Sequence, residues 1–256
     1  MIKYRLPRNI IARMQSLEYD RSFLAARILL DKINANMIIS GAFGLFEKKT
    51  VIAVGGYDNS TMGEDMELVV RLHEFSRMNR KPYKIDFAQD AICWSQTPEK
   101  LSELCKQRKR WQRGLFQCMW GHHKMLANPR YGAVGLLSYI YFLFYELLSP
   151  FIEFFGILTM VLSVMMDMLN VKFMLVFLAF YALYGILLTL TAYFSRIYTI
   201  DQRLSFRELL LATTACFFET TFLRFYLAFV RVTAFVGYKK NKLNWGKLER
   251  KKMNRI

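Results

Sequence analysis

One stretch of this chain, residues 171–194, carries a single charge, Lys172 at its edge, among Val, Phe, Leu, Met, Ala and Tyr. A helix rises about 1.5 Å per residue, so roughly 20 apolar residues cross a hydrocarbon core of about 30 Å. A helix apolar on all sides must be enclosed by protein or placed in lipid. With 54% hydrophobic residues, 22 Phe and 14 Met, the composition favours lipid over an unusually large soluble core.

Two further apolar stretches flank it. Residues 134–169 are long enough to cross but are interrupted by Glu146, Pro150 and Glu153, and Pro150 should kink the helix. Residues 206–236 are punctuated by Arg207, Glu208, Glu219, Arg224 and Arg231, and no charge-free run there reaches spanning length. At 100° per residue, Glu208, Thr213, Glu219, Thr220, Arg224 and Arg231 share less than half the circumference, as in an interfacial helix or one facing a polar channel.

The net charge of +16 lies largely beside these apolar stretches, where it would meet lipid headgroups or phosphates, so nucleic acid is not the expected partner. Basic segments 106–113 and 239–255 should both face the cytoplasm, which requires an even number of crossings. The expectation is two crossings plus one interfacial helix in a multi-pass protein of the cell membrane. Helices are expected over about 134–168, 171–196 and 206–236, within a membrane region 131–236 that is followed by a basic tail, 237–256.

Residues 1–130 hold most of the Gly, Asp and Glu and read as the water-facing part, ending near Asn128-Pro129-Arg130-Tyr131-Gly132. Met14, Leu17, Phe23, Leu24, Ile28 and Leu30 mark an amphipathic helix over 13–33. The charge-free run 37–46 reads as a buried strand, Gly55-Gly56 as a turn, 64–78 as a helix, and 83–94 contains a strand-like stretch. This is alternating α/β material, but only half a domain's worth. The four cysteines, Cys93, Cys105, Cys118 and Cys216, form no C-x-x-C pair and suggest neither zinc nor disulfides. The polar, basic start lacks an apolar signal core, so no secretory leader is expected.

Three segments carry chemistry, in the order Ser40-Gly41-Ala42, Gly63-Glu64-Asp65 and Gln107-x-x-Arg110-Trp111. Alone, Glu64 and Asp65 are what a helix start often carries, because carboxylates complement its dipole. Gln107, Arg110 and Trp111 stand at i, i+3 and i+4, one face of a helix that joins an amide, a guanidinium and an indole. A guanidinium can bind pyrophosphate oxygens in pairs, and an indole offers a flat surface for a sugar. The basic neighbours Arg108, Lys109 and Arg113 read as headgroup contacts. The adjacent pair His122-His123 lacks helical metal-site spacing, so these two and His73 are expected at the surface or interface. Glu146, Glu153 and Glu219 either line a channel or pair with Arg224 and Arg231.

Together with Gln15 to Tyr19 (QSLEY), Gly55-Gly56-Tyr57, Cys93-Trp94-Ser95 with Pro98, and Trp245-Gly246-Lys247, these segments resemble the bacterial membrane-bound family-2 glycosyltransferases, a group including cellulose, hyaluronan and poly-N-acetylglucosamine synthases. The resemblance implies an α/β, partial GT-A-type glycosyltransferase domain followed by a membrane helical region. It implies Asp65 as catalytic base, Glu64 supporting it, Gln107 and Arg110 on the donor pyrophosphate, and Trp111, Ser40 and Gly41 at the acceptor. Gly63 departs from the family's common Thr-Glu-Asp.

The family holds Mg or Mn on a D-x-D, and none occurs here; Glu18-x-Asp20 sits in an amphipathic helix and is not that site. Metal ligands and the nucleotide-binding half are therefore expected upstream of Met1, and the fragment alone is expected to be inactive. Implied partners are a nucleotide-sugar donor, a polysaccharide acceptor, membrane lipid, and a complementing N-terminal half or export subunits. The implied reaction transfers a hexose or N-acetylhexosamine from a UDP-sugar to a growing β-linked chain. Rival readings are transfer of one sugar to a lipid or membrane acceptor, and a non-catalytic membrane subunit.

Overall fold

The computed structural model describes residues 2–3, 9–81, 84–88, 91, 93–200 and 206–241. The basic tail beyond 241, with Trp245-Gly246-Lys247, and the side chains of Leu24, Arg207 and Glu208 lie outside the described residues.

Strand β1 (Ile2–Lys3) pairs in parallel with β2 (Cys93–Trp94), Ile2 opposite Cys93. Between them the described residues are mainly helical: α1 (Ile10–Arg21), a π turn Ser22–Ala26, α2 (Arg27–Lys32), α3 (Lys48–Ala53) and α4 (Glu64–Met78). Asn9 starts α1 by accepting the amides of Ile11 (2.9 Å) and Ala12 (3.4 Å), the ordinary remedy for unpaired N-terminal donors. Helix α4 begins on Glu64, Asp65 and Glu67 and ends on Arg77, so both ends complement its dipole. Helix α5 (Leu101–Gly121) follows β2.

The strand expected over 37–46 does not form. Ala35, Asn36 and Met37 are buried, but Gly41 to Leu45 are exposed, Leu45 at 98%, and the Phe43 amide closes a turn on the Ser40 carbonyl (3.0 Å). A strand needs a neighbour for its backbone groups, and among the described residues this segment has no strand beside it. The α/β expectation is thus met, among these residues, only by the two-residue parallel pair.

The long apolar helix Val134–Met165 alternates π and α geometry: π over Val134–Ser138, α6 (Tyr139–Tyr141), π over Phe142–Leu148, then α7 (Ser149–Met165). Pro150 lies inside this continuous helix, where its missing N–H leaves the ladder one bond short; the π stretch lies just before it, and the Glu146 carbonyl four residues earlier accepts from Arg231. Helix α8 (Val171–Ile200) is next, and 206–232 form α9 (Phe206–Phe218), a π turn Glu219–Leu223 and α10 (Arg224–Val232).

Among the described residues, two helices, Val134–Met165 and Val171–Leu188, are long and apolar enough to cross a membrane. Phe155, Phe173, Phe177, Phe180 and Tyr184 are exposed on them, an apolar surface that water would not tolerate and lipid would. The main core crosses the composition break near 128–132: Met37, Met66, Val70, Cys118 and Met119 pack with Tyr131, Val134 and Tyr139. Two hydrogen bonds fasten the same seam, Ser138 Oγ to the Ala35 carbonyl (2.6 Å) and the Tyr139 hydroxyl to the Met119 carbonyl.

Candidate functional site

Helix α5 sets the site. Gln107, Arg110, Trp111, Gly114 and Gln117 share one face at steps of three and four. Gly114 meets Gly63, the residue before α4, with no room between: a β-carbon on Gly114 would stand 2.7 Å from the Gly63 nitrogen, and one on Gly63 would stand 3.1 Å from the Gly114 Cα. The Gln117 side-chain oxygen accepts from the Thr61 hydroxyl (3.1 Å) and the Met62 amide (2.8 Å). The turn that carries Glu64 and Asp65 is therefore clamped onto the helix that carries Gln107, Arg110 and Trp111. Glycine at 63, where the family commonly has Thr, has a physical reason here.

Asp65 is half-buried, and its two carboxylate oxygens accept the amides of Gly41 (3.0 Å) and Met66 (2.8 Å). A β-carbon on Gly41 would touch the Asp65 side chain at 3.4 Å, so the Ser40-Gly41-Ala42 turn lies directly against that carboxylate. Burial pushes the Glu64 carboxyl above its usual range; Asp65 adds to this, while its own backbone amide and Arg110 oppose it. Glu64 is thus within electrostatic reach of both motifs.

Gln107 is half-buried, and its side-chain oxygen is buried without a hydrogen-bond partner, a group that a ligand donor would satisfy. Trp111 is 39% exposed; the Arg108 guanidinium lies 4.6 Å from its ring centroid and the Tyr19 ring 6.4 Å away. Arg108 does not face headgroups. It is buried and grips Glu18 of the QSLEY segment with both arms (2.8 and 2.5 Å). Nor is the Arg113 guanidinium free for lipid, since its Nε donates to the Ala234 carbonyl (2.7 Å).

The neighbouring face of α5 fastens to the apolar helices. Buried Gln112 donates to the Leu147 carbonyl (3.0 Å) and accepts from Arg231 Nε (2.7 Å), while Arg231 also donates to the Glu146 carbonyl. Both carbonyls lie at the end of the π stretch, where the helical ladder is out of step. Arg231 pairs with the Glu146 carboxylate (3.7 Å), Arg224 with Glu153 (2.6 Å) and Arg21 with Glu219. Glu146, Glu153 and Glu219 are thus each paired with an arginine.

The surface or interface expectation is overturned for His73, whereas His122 is half-buried. His73 is 2% exposed and donates from Nε2 to the Asn36 carbonyl (2.8 Å); burial holds its imidazole down at about 4. His122 sits between Glu74 (2.7 Å) and Glu67 (3.4 Å). Burial works against its charged form, yet the bonds to the two carboxylates hold it above the ordinary histidine value. His123 is exposed, as expected.

Among the described residues, no group of three or more His, Cys, Asp and Glu side chains is arranged to hold a metal ion. The divalent metal that the resemblance implies has no fitting donor set in these residues, and no chemical step is derived through it.

Residues 2–237 match the sequence profile of Glycosyl transferase family group 2. The chain belongs to this family. Membership implies the GT-A fold. The chain is similar to the poly-beta-1,6-N-acetyl-D-glucosamine synthases of Staphylococcus aureus strains COL and N315, 32% identical over 120 residues, and of Staphylococcus epidermidis, 31% identical over 120 residues. Each alignment covers 47% of this chain and 26% of the relative, so the match spans about a quarter of the curated relatives' length. No solved structure matches the chain.

Sequence reasoning missed Gly114, Gln112 and Gln117. Gly114 and Gln117 were visible in principle, since they continue the Gln107–Arg110 face by whole turns; Gln112 was not, because its partners lie 35 and 119 residues away.

Proposed function

We propose that this chain carries the proton-abstracting and acceptor-binding portion of an inverting glycosyltransferase that adds a sugar from a UDP-sugar to a growing β-linked polysaccharide at the membrane. The observation that most supports this reading is the backbone contact of Gly63 with Gly114, because it sets the Asp65 turn one helical turn from Arg110. Family-2 chemistry needs a carboxylate at the acceptor and cations at the departing diphosphate, and the contact supports this reading by fastening the turn that carries Asp65 to the helix that carries Arg110.

In this reading Asp65 takes the proton from the acceptor hydroxyl as its oxygen bonds to the anomeric carbon and the bond to UDP breaks. Arg110 and Gln107 bind the pyrophosphate, Arg110 stabilising the charge that develops on it. Trp111 lies under the terminal sugar with Ser40 and Gly41 beside it, and Glu64 shapes the site. The relatives' product suggests N-acetylglucosamine as the sugar. Val134–Met165 and α8 cross the membrane, 206–232 lies at its interface, and the catalytic face is cytoplasmic.

The test is polymer synthesis in membranes by the complete enzyme carrying Asp65→Asn or Trp111→Ala. Both variants should insert normally and make no polymer. Normal synthesis by either would refute the assignment.

A further inference from the structure

Helix α1, the π turn and α2 present Tyr19, Phe23 and Arg27 at successive four-residue steps, one stripe along a continuous helical segment. That stripe meets Trp111. The Tyr19 ring lies 6.4 Å from Trp111 and 6.1 Å from Phe23, and the Arg27 guanidinium lies over the Phe23 ring at 4.0 Å. Phe23 is 4% exposed, and Arg27 covers it.

Arg27 differs from the other arginines around the site. Arg108, Arg224 and Arg231 are each held by a carboxylate, whereas Arg27 makes no hydrogen bond or ion pair among the described residues. Burial pushes its guanidinium down to about 10, and the charges that oppose this are Asp65 first, then Glu146 and Tyr19. Five N–H donors, partly desolvated and unmet, call for a ligand rich in acceptor oxygens. A diphosphate and a saccharide both qualify. The rings of Tyr19 and Phe23 along the stripe, with Trp111 beside them, suit a saccharide, and the diphosphate already has Arg110 and Gln107 in the reading above.

We propose that Arg27 is a further acceptor-binding residue, its guanidinium donating to hydroxyl or acyl oxygens of the saccharide whose terminal hydroxyl is presented to Asp65. The proposal rests on the acceptor-site reading given above for Trp111 and Asp65. It adds a second wall to that site, built from the α1–α2 segment and facing the α5 helix.

The test is a titration of the detergent-solubilised full chain with a β-1,6-linked N-acetylglucosamine pentasaccharide, followed by thermophoresis, with UDP titrated separately. Arg27→Met should weaken saccharide binding roughly tenfold, the value of one charged hydrogen bond, and leave UDP binding and the melting temperature unchanged. Arg27→Lys, which keeps the charge over Phe23, should recover part of the loss. Saccharide affinity unchanged in Arg27→Met, or a fall in UDP affinity in its place, would overturn the proposal. Should the parent bind no saccharide, or Trp111→Ala bind it as well as the parent, the acceptor-site reading itself falls and takes the Arg27 role with it.

Discussion

Gly63 and Gly114 touch backbone to backbone, and that contact ties the acidic turn before α4 to the middle of α5. It joins two motifs separated by about forty residues of sequence without using any side chain of either. Small residues are required on both sides, because the approach leaves less than one carbon's width.

Gly114→Ala should therefore be costly although alanine is the better helix former. Its methyl would stand 2.7 to 2.9 Å from backbone atoms of Met62 and Gly63, which cannot rotate away. A loss of about 2 kcal/mol is expected, against a propensity gain of up to about 1 kcal/mol. Gly121→Ala on the same helix meets nothing within 4 Å and should be neutral or slightly stabilising. Denaturant titrations of the two variants should separate them, and equal responses would show that the glycine contact does not matter.

Arg108→Met should destabilise by about 2 kcal/mol, less than a fully buried pair would, because the Glu18 side chain is 36% exposed and can be rehydrated. Arg108→Lys should not restore the parent, since one ammonium cannot reproduce the two-armed grip. Tryptophan emission should shift in both variants as the face of Trp111 loses its guanidinium. Parent-like stability of Arg108→Lys would mean that charge alone suffices.

Gln112→Leu leaves the Leu147 carbonyl and one Arg231 donor unmet, at a cost of about 1–3 kcal/mol. Arg231→Met removes part of the same network, so the double variant should lose less than the two singles added together. A double-mutant cycle on thermal unfolding in detergent measures this. Strict additivity would argue against a shared network.

His73 and His122 should impose opposite pH limits on α4. His73 is held at about 4, below its free value, so its contribution is complete above pH 6.5 and is lost as pH falls towards 4. At roughly 1.4 kcal/mol per pH unit this acid limb amounts to about 3 kcal/mol. His122 is held above its free value, so its contribution is complete below pH 6.5 and is lost as pH rises through its folded value. His73→Gln should flatten the acid limb of a melting-temperature profile and His122→Gln the alkaline limb. A profile that either variant leaves unchanged would refute the corresponding assignment.

Local pattern was enough for the helices. Residues 64–78 were expected to be helical and form α4 with those bounds, because apolar spacing and end charges are local properties. The apolar length of 171–194 likewise announces α8. The strand over 37–46 misled, because a charge-free run says that a segment can be buried and not what lies beside it. The positive run at 106–113 misled in a related way. Periodicity shows that Arg108 and Arg110 point in different directions, but not that Glu18 waits on one side.

By itself, then, the sequence determined the apolar helices, the acidic start of α4, and the single face of α5 that carries Gln107, Arg110 and Trp111. Each of these follows from residues within a few turns of one another. Only the tertiary structure decided that Gly41 would reach Asp65, that Gly63 would lie on Gly114, and that Gln112 and Arg231 would cap the π stretch. Those contacts join residues 24 to 119 positions apart, and such pairings are selected by the burial and hydrogen bonding of the whole chain, which no short window of sequence contains.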